Sequence, residues 1–156
     1  MLPSALESLL QQQLTNERWS AAIYEQMQWH FKNVALDGMA HWMEKQASEE
    51  MAHFVKQADY LVDRSCEPML DALKPVPSYL GKAPVEIFAL ALAHEQEVTA
   101  QIQRIYTEAK KLDDATAIKF EWFVSEQVEE ERALADILMN FTMFDTWQMD
   151  QNLGKR

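Results

Sequence analysis

Glu50 and His53 are two potential metal ligands with the spacing Glu-x-x-His. Residues three apart lie on one face of an α-helix, so this carboxylate and this imidazole would point the same way. The pair alone is a weak signal, because it recurs by chance on many surface helices. Its significance depends on whether the rest of the chain brings matching ligands to the same depth.

Three further helical stretches carry acidic or amide side chains inside an otherwise apolar stripe. Glu17 interrupts the first stripe, Glu95 the third, and Gln127 with Glu130 the fourth. A charged carboxylate in a packed helix seam is costly unless it has a partner, and a metal ion is one such partner. The structural alternatives are buried polar side chains that satisfy one another, or helices rotated so that the acids face water.

The elements that must position these side chains are helices. The 156 residues include only three Gly and five Pro, whereas strong helix formers are plentiful. Apolar periodicity predicts an all-α, antiparallel four-helix bundle over residues 1–140. Residues 65–83 contain three prolines and are too long for a tight turn, so they predict one long crossover between helices 2 and 3. Residues 141–156 would form a short C-terminal tail or a truncated fifth helix.

The two halves of the chain repeat the same spacing. Glu17 precedes Glu50 by 33 residues, and Glu95 precedes Gln127 by 32. Each pair is centred on a predicted turn, so an antiparallel hairpin would bring both members to one depth, about 25 Å from the turn. If the two hairpins pack together, all six polar side chains can meet in the middle of the bundle.

This arrangement resembles the di-iron carboxylate bundles, in which two helices each supply a Glu and two others each supply a Glu-x-x-His. The fourth helix departs from that pattern with Gln127-x-x-Glu130. Carboxylates and imidazole suit iron or manganese, and do not suggest a thiolate site. In this hypothesis Glu50 bridges two iron ions and Gln127 is a neutral neighbour. The other ligands would be Glu17 and His53 for the first ion, and Glu95 and Glu130 for the second.

Charge and cysteine content narrow the function classes. The net charge of −11 argues against nucleic acid as a partner and favours cations. The single cysteine, Cys66, excludes an internal disulfide and fits a reducing, cytoplasmic location. No stretch is apolar and long enough to predict a membrane span.

Longer motifs resemble bacterial non-haem ferritin over residues 1 to about 140. The resemblance implies a ferroxidase, an Fe(II):oxygen oxidoreductase that uses O₂ or peroxide and stores a ferric mineral. It implies two iron ions per subunit, with Gln127 beside their ligands Glu17, Glu50, His53, Glu95 and Glu130. The matching motifs are Asn16-Glu17-Arg18-Trp19-Ser20, Tyr24, Glu49-Glu50-Met51-Ala52-His53, Glu95-Gln96 and the run from Trp122 to Glu131.

The same resemblance implies roles for residues around the di-iron centre. Glu49, Glu126 and Glu129 match a third, inner iron site of some bacterial ferritins. Tyr24 and Trp122 match aromatic residues that can give up electrons. The alternative for the three acids is a solvated helix face. For Tyr24 it is a core phenol with a hydrogen-bond partner, and for Trp122 it is plain packing of the indole.

Haem is not expected, because the chain lacks the second Glu-x-x-His motif of bacterioferritin. Met51 matches the haem-binding Met of bacterioferritin, but non-haem ferritins can also carry a Met there, so it does not distinguish the two families. The resemblance implies a homo-oligomer, with a twenty-four-subunit cage as the leading expectation. The short tail leaves a dimer or smaller assembly open, in which the chain would be a di-iron oxidase for iron or peroxide detoxification. A metal-free structural bundle is the remaining alternative.

Overall fold

A computed structural model describes all 156 residues, Met1–Arg156. The chain forms five α-helices and no strand, which confirms the predicted all-α class. None of these helices combines the length and apolarity that a bilayer crossing requires. The helices are α1 (Ser4–Asn33), α2 (Asp37–Asp63), α3 (Pro84–Leu112), α4 (Asp114–Asn140) and α5 (Thr146–Leu153).

Two antiparallel hairpins, α1–α2 and α3–α4, make up the bundle. Asp113 separates α3 from α4, and its carboxylate caps α4 by accepting a hydrogen bond from the backbone N–H of Thr116 at 2.9 Å. The same carboxylate accepts two hydrogen bonds from the Arg64 guanidinium, at 2.6 and 2.9 Å. This bidentate pair joins the end of α2 to the start of α4 and so ties the two hairpins together.

The proline-containing segment between α2 and α3 is the predicted long crossover, and it runs along α1. Gln11 on α1 donates to the backbone carbonyl of Glu67 at 2.8 Å and accepts from the N–H of Met69 at 2.9 Å. Further along, the Trp19 indole N–H donates to the carbonyl of Lys74 at 3.1 Å. These bonds satisfy backbone groups that have no helical partner in this segment.

The apolar core is divided into two clusters. The first surrounds the α1–α2 turn and includes Phe31, Met43 and Phe88. The second lies at the other end of the bundle and includes Leu10 and Phe120. The polar side chains that interrupt the helix stripes lie between these clusters, and we call this region the polar layer. Its members are Gln13, Glu17, Gln46, Glu50, His53, Gln57, Glu95, Gln127 and Glu130, all of them buried.

The tail turns at residues 141–145 and forms α5, which packs on the start of α2. The Asp145 carboxylate caps α5 by accepting from the N–H of Gln148 at 2.8 Å. Asp150 is buried, and its carboxylate accepts from the N–H of Met39 at 2.8 Å. The first turn of α2 thereby gains a hydrogen-bond partner that its own helix cannot supply.

Gly38 is the residue that allows α5 to approach α2. A Cβ atom at position 38 would lie 1.8 Å from the carbonyl oxygen of Asp150, so Gly38→Ala must displace α5. We expect the free energy of unfolding, measured in urea, to fall by about 1–3 kcal/mol. The control is Ser48→Ala on the exposed face of α2, which should change it by less than about 0.5 kcal/mol. Equal stability of the two variants would contradict this account.

Candidate metal centre

Each helix of the bundle contributes at least one of the six predicted side chains to the polar layer. Glu17 comes from α1, Glu50 and His53 from α2, Glu95 from α3, and Gln127 and Glu130 from α4. All six are at least nine-tenths buried. The matched spacing of the two hairpins therefore places these side chains inside the bundle and not on a solvated face.

Three of these side chains form a compact set of ligands. The Nδ1 atom of His53 lies 3.4 Å from Oε2 of Glu50 and 3.9 Å from Oε2 of Glu17. One ligand atom from each residue lies within 4.8 Å of the other two. Two carboxylates and one imidazole at this separation can surround a single divalent cation.

Three carboxylate oxygens within this set of ligands accept no hydrogen bond. Both oxygens of Glu50 and Oε2 of Glu17 are buried and unpartnered. The other oxygen of Glu17 accepts from the amides of Gln13 and Gln57, at 2.9 and 2.8 Å. No lysine or arginine forms an ion pair with either carboxylate. Because buried carboxylate oxygens without a donor or a counter-charge are costly, this donor set fits a metal ion.

The opposite half of the polar layer is more completely hydrogen-bonded. The Tyr24 hydroxyl donates to Oε1 of Glu95 at 2.5 Å, and the Gln127 amide donates to Oε2 at 3.1 Å. Oε2 of Glu130 accepts from the Gln46 amide at 2.8 Å. Gln127 thus acts as a donor to the neighbouring carboxylate, which orients Glu95 within the bundle.

Burial and mutual repulsion change the acidity of these groups. Burial, with the nearby charges of Glu95 and Glu17, holds the pKa of Glu50 well above its usual range. Burial raises the pKa of Glu130 to about 7. Burial also raises the pKa of Glu95, although the hydrogen bonds from Tyr24 and Gln127 act against it. A divalent cation would relieve this repulsion and keep the carboxylates ionised.

Comparison with known proteins identifies the family. A sequence profile described as "Ferritin-like domain" matches residues 7–144. The chain belongs to the ferritin family. It is 32% identical over 160 residues to the bacterial non-heme ferritin of Bacteroides fragilis (strain 638R), with all of both chains covered. It is 34% identical over 132 residues to that of Staphylococcus epidermidis (strain RP62A), covering 84% of this chain and 79% of the relative.

The solved structures agree with the sequence relatives. An "open pore ferritin" from the archaeon Archaeoglobus fulgidus superposes with a TM-score of 0.95 at 29% identity. The match covers 99% of this chain and 98% of the archaeal chain. The predicted ferritin-like bundle and the resemblance to bacterial non-haem ferritin are therefore confirmed.

The residues matched to a third iron site lie in three different surroundings. Oε1 of Glu126 is 3.9 Å from Nε2 of His53, and Glu126 forms a second potential ligand set with His53 and Glu130. Glu129 is exposed on α4. Glu49 forms an ion pair with Arg156, with Oε2 and Nη2 2.7 Å apart. Of these three residues, only Glu126 lies beside the predicted ligands of the polar layer.

The two aromatic residues of this ferritin also differ in their surroundings. Tyr24 is buried and donates its hydroxyl hydrogen to Glu95. The Trp122 ring lies edge-on to His53, with centroids 5.6 Å apart, and is partly exposed. The ammonium of Lys56 stands over this indole, 3.1 Å from the ring centroid. A cation in that position disfavours removal of an electron from the Trp122 ring.

Three glutamines of the polar layer were not among the residues predicted from sequence. Gln13, Gln46 and Gln57 are buried and donate their amide hydrogens to the carboxylates of the predicted ligands. A signal for them existed in the sequence, because each lies four residues from a predicted ligand on its own helix and therefore on the same face.

Removing the two amides that orient Glu17 should weaken metal binding. In the Gln13→Leu/Gln57→Leu variant, both Oε1 donors of Glu17 are lost. We expect affinity for Zn(II), measured by competition with a fluorescent chelator, to fall by about 10–100-fold. Gln12→Leu, on the exposed side of α1, is the control and should bind as the wild type does. The same affinity in both variants would show that the amides do not orient a ligand.

Proposed function

We propose that this ferritin binds two Fe(II) ions in its polar layer, oxidises them with O₂ or peroxide, and stores the ferric product as a mineral. The observation that carries the proposal is the buried Glu50 carboxylate, whose two oxygens have no partner within the chain. Such a group is stable in its charged form only when a cation occupies the space in front of it. The sequence relatives named as bacterial non-heme ferritins support iron as that cation.

The proposed roles follow from the position of each side chain. Glu50 would bridge the two ions, because it adjoins Glu17 and His53 and lies close enough to Glu95 for their charges to interact. Gln127 and Tyr24 orient Glu95 through their hydrogen bonds. The ligands of the first ion would be Glu17 and His53, and those of the second Glu95 and Glu130.

The proposed reaction is a two-electron oxidation. Each Fe(II) ion loses one electron, and the two electrons with two protons reduce O₂ to hydrogen peroxide. With peroxide as the oxidant, the same two electrons and two protons give two molecules of water. If only one Fe(II) ion is bound, Tyr24 would supply the second electron for reduction of O₂ to hydrogen peroxide. Its hydroxyl proton would pass to Glu95, which already accepts its hydrogen bond, and a tyrosyl radical would remain.

We propose a cage of twenty-four chains for storage, in a cytoplasmic location. The Bacteroides relative aligns over its whole length, and the archaeal ferritin over 98% of its chain, so both extend over the region of α5. The net charge of −11 would attract Fe(II) to such a particle. A dimer or other small assembly would retain the oxidase but could not hold a mineral.

Two measurements test the proposal. Fe(II) is added to metal-free protein under argon, and absorbance of Fe(III) is followed after O₂ or peroxide is admitted. We expect oxidation faster than in buffer alone, and a particle of about twenty-four chains by light scattering. Oxidation no faster than in buffer would leave a metal-free structural bundle as the function. Fast oxidation in a small particle would replace storage with detoxification.

A further inference from the structure

Arg156 reaches back from the end of α5 to the face of α2 that adjoins the polar layer. Its Nη2 atom donates to Oε2 of Glu49 at 2.7 Å, and its guanidinium carbon lies 4.7 Å from the centroid of the Trp42 ring. Its backbone oxygen is 3.0 Å from Nε2 of His41. Both the side chain and the backbone of Arg156 are thus attached to α2.

The docking of α5 determines where this guanidinium lies. The hydrogen bond from Met39 to Asp150 and the absence of a side chain at Gly38 hold α5 against the first turn of α2. Arg156 follows α5 by three residues, so its reach is short and directed. The guanidinium stays protonated at any physiological pH and has no acceptor atom, so it is a permanent positive charge at Glu49.

Glu49 is the residue before the proposed bridging ligand, on the same helix. A metal ion bound by Glu49 would lie close to the Arg156 guanidinium, and the two positive charges would repel each other and compete for the same carboxylate. A guanidinium that forms a short, charge-assisted hydrogen bond can take the place of a metal ion at a single carboxylate.

We propose that Arg156 is a resident cation at Glu49, and that it excludes a third metal ion from this position. The inference rests on the proposed function, because it concerns the number of iron ions that the same centre takes. It makes Arg156 a specificity-determining residue that limits each chain to the two ions of the polar layer. Removal of the guanidinium makes Glu49 available as a ligand.

The test counts bound metal and does not depend on oxidation. Metal-free protein is dialysed against Fe(II) under argon, and the bound ions are counted per chain by elemental analysis. We expect two ions in the wild type, three in Arg156→Ala, and two again in Arg156→Ala/Glu49→Gln. Arg156→Lys keeps a cation near Glu49 and should bind two.

The control for overall charge is Arg132→Ala. Arg132 pairs with Asp136 on the exposed side of α4, so its loss changes the net charge equally without opening Glu49. Two ions in Arg156→Ala, or three in the wild type, would overturn the inference while leaving the proposed function intact. A third ion in Arg132→Ala would show that net charge alone is responsible and would overturn it as well. A wild type that binds no iron would overturn the proposed function itself.

Discussion

Glu50→Leu should abolish iron oxidation while making the metal-free protein more stable. The substitution removes two buried carboxylate oxygens that have no partner in the chain. Loss of a supporting residue around a metal typically costs 10–100-fold in affinity or activity, so loss of the bridging ligand should lower the oxidation rate by more than about 100-fold. The unpartnered buried carboxyl disappears together with its desolvation cost, so the free energy of unfolding should rise by about 1–3 kcal/mol.

The opposite signs of these two effects make the result informative. A variant that merely misfolds would lose stability and activity together. Oxidation is measured from the Fe(III) absorbance and stability from urea unfolding without metal. The matched control is Glu44→Gln, an exposed acid on the same helix, which should change neither quantity. Retention of wild-type oxidation by Glu50→Leu would remove the polar layer as the reaction site.

The metal-free protein should lose stability as the pH rises from 6.5 to 8. Burial raises the pKa of Glu130 to about 7, and it raises the pKa of Glu50 and Glu95 as well. An unfolded Glu has a pKa of about 4.3, so the folded chain binds more protons between that pH and the folded pKa. The resulting stability is complete below the unfolded pKa and is lost as the pH rises through the folded value.

The pKa of Glu130 gives a lower bound for the loss of stability expected from the buried carboxyl groups. A carboxyl with a folded pKa of about 7 loses roughly 1 kcal/mol of stabilisation between pH 6.5 and 8, and Glu50 and Glu95 add to the loss. His94 acts in the opposite direction, because burial lowers its pKa to about 4. Its unfolded pKa is about 6.5, so it returns only about 0.4 kcal/mol of stability between pH 6.5 and 8, which is less than the loss from Glu130.

Bound metal should reverse this pH dependence, so that the stability of the protein rises with pH. Zn(II) binds only the deprotonated carboxylates, so its stabilising effect grows with pH. Urea unfolding at several pH values between 6.5 and 8, with and without Zn(II), measures both trends. Glu130→Gln removes one titrating group and should flatten the metal-free curve, whereas Glu44→Gln should not. A metal-free stability that is constant or rises over this range would contradict the raised pKa values.

The sequence was sufficient to determine the class of fold and the depth of the centre. Helix formers and apolar periodicity predicted the bundle, and the prolines between α2 and α3 predicted the crossover, because these signals act locally on the backbone. The spacings from Glu17 to Glu50 and from Glu95 to Gln127 predicted that these side chains lie at the same depth in the bundle. In an antiparallel hairpin, residues at equal distances from the turn lie side by side. The resemblance to bacterial non-haem ferritin pointed to the same residues.

Only the tertiary structure decided which oxygens are free and which are occupied. The amides of Gln13 and Gln57 occupy one oxygen of Glu17 from different helices and leave the other one unpartnered. Arg156 and Glu49 are 107 residues apart, and they meet because Gly38 lets α5 rest against α2. Such contacts depend on how a turn directs one helix onto another, and no local spacing in the chain encodes that direction.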